Sequence, residues 1–122
     1  MAKIYYNRTH EYIKEVDGSY RVGISEYAAG ELGDVTFVEL PEVGKKFARG
    51  EVLATIESVK AVGECYAPVD LEILAVNEEL QTKPELINQD PLGAGYIAQV
   101  SVLDLTQLGD LMSPEEYEKM EK

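Results

Sequence analysis

Tryptophan is absent from this chain of 122 residues, and cysteine and histidine occur once each, as Cys65 and His10. A single cysteine cannot close an internal disulfide, which fits a reducing compartment and leaves Cys65 the part of a small buried hydrophobe. One histidine and one cysteine also exclude an ordinary His/Cys zinc site unless carboxylates complete the ligand set. A nucleophilic Cys65–His10 pair would need an electropositive setting for the thiolate, and the apolar stretch around Cys65 offers none. No glycine loop has the spacing that cradles a phosphate. No apolar run approaches the ~20 residues that span a bilayer, and Met1–Tyr6 lacks the long apolar stretch of a secretory signal. The expected location is the cytoplasm, or the mitochondrial matrix if a transit peptide has been removed.

Positive charge is scarce as well: 11 Lys and Arg stand against 23 Asp and Glu, for a formal net charge of -12. Such a chain repels nucleic-acid phosphates and anionic lipid heads, and no Lys/Arg cluster offers an opposing patch. The acidity serves solubility or docking onto basic clefts of partner proteins equally well.

What the sequence does contain is a succession of short β-prone runs between turn signals, within a length that suits one domain over residues 1–122. Tyr12–Val16 and Tyr20–Ile24 flank Asp17-Gly18-Ser19, a hairpin signal because glycine supplies the positive φ of a tight turn. Ser25 caps a short helix through about Leu32, ended by Gly33. Val35–Leu40 is apolar at alternate and intervening positions, which predicts a strand packed between two layers, turned back by Pro41-Glu42-Val43-Gly44. Leu71–Val76 and Tyr96–Leu103 read as strands. A helical turn follows Asn77, and Pro84, Pro91, Gly93 and Gly95 predict a long loop. Ser113-Pro114-Glu115-Glu116 opens a C-terminal surface helix that packs through Tyr117, with Met120 on the same stripe. The pattern predicts a mainly β sandwich or flattened barrel with short helices.

The run Glu57-Ser58-Val59-Lys60-Ala61 places one lysine where two β-prone stretches meet, starting from Arg49-Gly50 and ending at Pro68, with no glycine, proline or asparagine at the junction. Lys60 therefore reads as the tip of a hairpin. A bare lysine there could simply keep an edge from pairing with other chains. A carrier reading asks for more: an acylatable amine held on a rigid protrusion.

Several segments between Thr9 and Tyr117 carry a resemblance that favours the second reading. They are His10-Glu11-Tyr12, Val22-Gly23-Ile24, the run from Leu32 to Gly44, Glu57–Ala61, Pro68-Val69, Val76-Asn77, Pro84–Asn88 and Asp90-Pro91. Together they resemble the H-proteins of the glycine cleavage system, small carriers bearing lipoic acid on a lysine. The resemblance implies a barrel-sandwich hybrid of the lipoyl/biotinyl-domain type. It also implies lipoic acid as an amide on Lys60, and Glu57 and Gly44 as features read by a lipoyl- or octanoyl-attaching enzyme. Glu11 and Glu64 match positions lining the cleft in which the arm docks. The plain alternatives are a solvated strand residue for Glu57 and a turn glycine for Gly44, and for Gly44 the two need not exclude each other. The implied partners are a pyridoxal-phosphate glycine decarboxylase, a tetrahydrofolate-dependent aminomethyltransferase and a dihydrolipoamide dehydrogenase, served by a monomeric carrier that is not itself an enzyme.

The chain departs from the family pattern at Glu64, where aspartate is usual, and at Asp70-Leu71, where Ser-Gly is common in the turn after Pro-Val. Two other readings stand beside the cleavage carrier: a lipoyl store that passes its group to 2-oxoacid dehydrogenases, and an unmodified β-sandwich interaction protein. A biotin carrier would set its lysine between methionines, whereas Val59 and Ala61 flank Lys60.

Overall fold

The two halves of each hairpin are joined by turns whose backbone the sequence specifies. β1 (Lys3–Tyr6), β2 (Glu11–Val16) and β3 (Ser19–Ile24) form a meander in the computed structural model, which describes residues 3–120 and 122. The β2–β3 turn has positive φ at both Asp17 (51°) and Gly18 (82°), the mirror-image turn whose twist matches that of paired strands. Register runs Val16↔Ser19 through Glu11↔Ile24, so Ile13 and Val22 face each other and both are fully buried.

After β3, Ser25 caps α1 (Glu26–Leu32) by accepting the Ala28 N–H, and Gly33, at φ 76°, ends it. β4 (Val35–Glu39), β6 (Val52–Ser58) and β7 (Val62–Tyr66) make a three-stranded sheet in the order β4-β6-β7. β5 (Lys46–Phe47), β8 (Leu71–Val76) and β9 (Ala98–Val102) complete a six-stranded sheet, β1-β2-β3-β9-β8-β5. Val38, Ala54, Ile56 and Cys65 from the smaller sheet share one core with Ile13, Val22, Leu71, Ile73 and Val100 from the larger. This two-sheet arrangement is the barrel-sandwich hybrid expected from the sequence. Among the described residues, no helix is long and apolar enough to cross a membrane.

β4 differs from its expected placement between two layers. Only Val35 and Val38 are buried, while Phe37 is 46% exposed. The strand lies at a sheet edge and pairs only with β6, and a register shift between Val35 and Phe37 absorbs Thr36. That bulge lets residues three apart point inward, so the outer face keeps its solvent.

The proline-rich segment holds a short helix as well as a loop. α2 (Leu86–Gln89) forms one turn anchored by the fully buried Ile87. Four residues are too few for helical periodicity to show in sequence. Asn77 Nδ2 donates to Ala94 O and Tyr96 O at 2.8 Å each, holding the rest of the loop against the end of β8.

At the turn after Val69, Asp70 proves to be a working substitution. Its Oδ1 accepts the Arg49 N–H (2.7 Å), its Oδ2 accepts from Gln107 Nε2 (3.0 Å), and its own N–H donates to Gln107 Oε1 (2.7 Å). The carboxylate thus ties this turn to the 3₁₀ helix Leu105–Asp110.

α3 (Pro114–Lys119) begins with a reciprocal capping box between Ser113 and Glu116. It docks through Tyr117, stacked on Tyr6 at 4.2 Å between ring centroids, and Met120 packs on the same small cluster beside Tyr12. Tyr12 is fully buried, and its hydroxyl donates to Pro91 O at 2.5 Å. Its ring crosses β3 so closely that a methyl built on Gly23 would lie 2.8 Å from Tyr12 Cε2.

Gly23→Ala should therefore cost about 1–3 kcal/mol of stability, the range for forcing one extra methyl into a packed core. Urea unfolding would show it as a lowered midpoint with an unchanged slope; a midpoint equal to the parent's would mean that Tyr12 moves aside freely.

Candidate functional site

Lys60 stands at the tip of the β6–β7 hairpin, where Glu57 pairs with Val62 and Ser58-Val59-Lys60-Ala61 turns the chain. Ser58 braces this turn from within. Its N–H donates to Ala61 O (2.8 Å), and its Oγ accepts the Ala61 N–H (3.0 Å) and the Lys60 N–H (3.3 Å). A serine that satisfies its own turn takes the part that glycine or asparagine usually plays. The tip also leans on the chain ahead of β4, through Val59 N–H to Asp34 O at 3.1 Å. Lys60 itself is exposed, and its stem lies over Gly33, 3.2 Å from Cε to where a Cβ on that glycine would be.

Beside that stem opens a cleft of about 300 Å³ between α1, the start of β2 and β7. Ile24, Ala28, Leu32 and Ile56 give it an apolar lining, and Gly63 provides room, since a Cβ there would sit 3.0 Å from Leu32 Cδ2. Leu32 lines the cleft while the next residue, Gly33, lies under Lys60, so lysine and cleft are contiguous. Glu11, Glu31 and Glu64 bring carboxylates to it, with Tyr27 and His10 alongside.

Glu11 is the unusual member, a carboxylate only 1% exposed. Its Oε1 accepts from Thr9 Oγ1 and from Asn7 Nδ2 (3.2 Å). Burial pushes its pKa up to about 7, against the opposing pull of hydrogen bonds from Thr9, the Tyr66 N–H and Asn7. His10, with φ 75°, turns the chain just before it. The His10 ring is pinned from the far end of the chain: Nδ1 lies 2.7 Å from Tyr117 Oη, which is 2.8 Å from Ser25 Oγ. Burial is also the main cause that lowers the His10 pKa, aided by the Lys122 ammonium.

The remaining candidates are spread around this centre. Glu57 is exposed on the outer face of the small sheet, in register with Phe37 on one side and Val62 on the other. Glu64 lies at the cleft and accepts from Tyr66 Oη at 3.1 Å. Gly44 stands in the turn ahead of β5 in the other sheet, with φ 89° and its N–H bonded to Ile73 O. Cys65 is fully buried, and burial holds its thiol well above the ordinary range. A buried thiol kept protonated in this way does not supply the thiolate that a Cys65–His10 nucleophile would need. Among the described residues, no group of three or more His, Cys, Asp or Glu is placed to hold a metal ion.

Tyr27, Ala28, Glu31 and Leu32 escaped the sequence reading as cleft residues. Their spacing of i, i+1, i+4 and i+5 along α1 puts them on one helix face, which was the available signal. An amine at the tip, an apolar trough beside it and buried acid within reach of that trough suit an arm that is neutral along its length and cationic at its end.

Comparison with known proteins gives a consistent answer. The profile of the family described as "Glycine cleavage H-protein" matches residues 4–122. A glycine cleavage system H protein from Halothermothrix orenii is 49% identical over 112 residues, covering 92% of this chain and 88% of the relative. A probable glycine cleavage system H protein from Pyrococcus abyssi is 52% identical over 116 residues, covering 93% and 86%. The crystal structure of a glycine cleavage system H protein from Mycobacterium marinum superposes with a TM-score of 0.85 at 36% identity, over 94% of this chain and 93% of that one.

The raised Glu11 pKa has a definite sign in stability. The folded state holds this proton more tightly than the unfolded chain, whose carboxyl titrates near 4.5, so the contribution is present below pH 4.5 and lost as pH rises through about 7. Glu11→Gln should therefore keep up to about 3 kcal/mol at pH 8 that the parent loses between pH 4.5 and 8. Urea unfolding of both proteins at several pH values measures this; parallel stability curves would show that Glu11 is not buried as an acid.

Proposed function

The chain belongs to the glycine cleavage H-protein family, and from that membership we propose that it is a carrier that is acylated with lipoic acid on Lys60. In this reading it serves as the shuttle between the enzymes of the glycine cleavage system. When bound, lipoic acid supplies a strained disulfide that takes up an aminomethyl unit derived from glycine and later yields electrons as a dithiol. The observation that supports the reading best is the exposed Lys60 amine on a braced tip, its stem laid over Gly33 beside the apolar cleft.

The chain's residues have distinct tasks in that role. The β6–β7 strands bury Ala54, Ile56 and Cys65 and so hold the tip away from the core on a stiff support. Acylation converts the Lys60 ammonium to a neutral amide, and Ile24, Ala28, Leu32 and Ile56 offer a neutral arm a surface that excludes water. Glu11 supplies a carboxylate at low exposure, where its attraction to a cationic amine is little screened by solvent or salt. Such a cation would draw the Glu11 pKa down from about 7 and keep the carboxylate ionised. Glu64, an exposed acid on the outer face of β7, adds a second negative charge at the edge of the same cleft.

The partners in this reading are a pyridoxal-phosphate decarboxylase, an aminomethyltransferase using tetrahydrofolate and a dihydrolipoamide dehydrogenase. A lipoyl- or octanoyl-attaching enzyme precedes them and meets the face carrying Glu57, with Gly44 as its further recognition feature. The net charge of -12 favours transient docking of a small carrier that must leave each partner quickly.

Peptide mass mapping of protein purified from its own host should find the lipoyl amide on Lys60 alone. A free Lys60 beside another acylated lysine would overturn the assignment. Lys60→Arg should unfold within ~0.5 kcal/mol of the parent, because the side chain is exposed, yet support no exchange of the glycine carboxyl carbon with bicarbonate by the decarboxylase. An acylated parent that is itself inactive in this exchange would point to lipoyl relay instead of glycine cleavage.

A further inference from the structure

The lysine tip is braced internally by Ser58, but its direction relative to the cleft depends on what it rests against. That support is the segment Gly33-Asp34-Val35, between α1 and β4. Val59 N–H donates to Asp34 O at 3.1 Å, and the Lys60 stem passes over Gly33. The segment has little structure of its own, since Gly33 has left the helix at φ 76° and β4 begins only at Val35.

Asn88 grips this segment at both ends. Its Nδ2 donates to Gly33 O at 2.7 Å, and its Oδ1 accepts the Val35 N–H at 2.9 Å. The residue between those two contacts is Asp34, the acceptor for the tip. A carboxamide provides a donor and an acceptor side by side at this reach, which an ionised carboxylate of the same length does not. Asn88 is held in turn by α2, where its neighbour Ile87 is fully buried and its own N–H donates to Glu85 O at 3.0 Å. A chain of short contacts therefore runs from the core, through one side chain, to the backbone under the lysine.

We infer that Asn88 is a positioning residue for Lys60: by clamping Gly33 and Val35 it fixes the seat on which the hairpin tip rests, and so sets the direction in which the amine is presented. This rests on the reading of Lys60 as the acylated residue. Correct presentation of a nucleophile is worth much in an acyl transfer, because reacting groups must be held close and aligned. Loss of the seat leaves the docking face around Glu57 intact but lets the amine wander.

Three variants separate this role from ordinary packing. Asn88→Leu removes both contacts. Asn88→Asp keeps the acceptor for Val35 but loses the donor and sets a negative charge against Gly33 O. Ile87→Val weakens the same helix through the core and touches nothing at the tip. Residue-resolved hydrogen exchange on unacylated protein should show the Val59 amide exchanging about tenfold faster in Asn88→Leu, with Asn88→Asp between it and the parent. Ile87→Val should move core amides such as that of Val100 without selectively moving Val59. With a purified lipoyl ligase, free lipoic acid and ATP, kcat for acylation of Lys60 should fall about tenfold in Asn88→Leu, with KM nearly unchanged. Should that variant fail to fold, the comparison is made with Asn88→Asp. Val59 exchange no faster than in Ile87→Val would overturn the seat, and faster exchange with unchanged acylation would overturn its link to the amine. A parent that the ligase never acylates at Lys60 would sink the carrier reading instead, while the exchange data would still decide the seat.

Discussion

The presentation of Lys60 in solvent depends on one-sided burial of the β6–β7 hairpin. Ala54, Ile56 and Cys65 point into the core and are almost wholly excluded from solvent, whereas Glu57, Val62 and Glu64 on the other face are exposed. Packing on that inner face fixes the strands, because close-packed interiors yield little to small forces. The tip is thereby carried on a stiff support while remaining in water. A hairpin buried on both faces would hide the amine, and one buried on neither would not hold it still.

The second constraint lies where the sheets approach each other, at Glu11. The fold places an acid there under almost complete burial and then satisfies it with neutral donors from Asn7, Thr9 and the Tyr66 N–H, not with a cation. Neutral donors offset only part of the desolvation cost, and the carboxyl remains poised near neutrality. The wall that carries it is secured from a distance. Tyr117 of the C-terminal helix meets His10 across a sequence separation of 107 positions, and Ser25 joins the same hydroxyl cluster while capping α1. One tyrosine thus couples the C-terminal helix to both walls of the cleft.

Much of this was legible in the sequence, and the exceptions have physical causes. The β2–β3 hairpin, the Ser25 cap, the lysine tip and the Ser113 cap were readable because each rests on local chemistry, a turn glycine, a side-chain oxygen or strict alternation. β1 and β5 leave little to read in the sequence, being runs of four and two residues, too short for alternation to show. β4 reads in sequence as buried on both faces because a bulge is invisible in hydrophobicity alone. The cleft was the least legible part. Its acids were named only through family resemblance, and the role of α1 in lining it emerged from the way the helix lies against Gly63. Asn88 reads in sequence as one polar residue among loop signals. Its partners at Gly33 and Val35 lie more than fifty positions earlier.

The poise of the Glu11 carboxyl near 7 also bears on charge traffic through the molecule. An acid held by burial near pH 7 is partly protonated at neutral pH, and in the molecules that hold the proton a cation entering beside it would expel it. The site then trades one positive charge for another in those molecules and gains one in the rest. Binding of a cation in the cleft would accordingly release a fractional proton into the surrounding buffer, and the long-range field of an already highly anionic protein would change by less than one elementary charge.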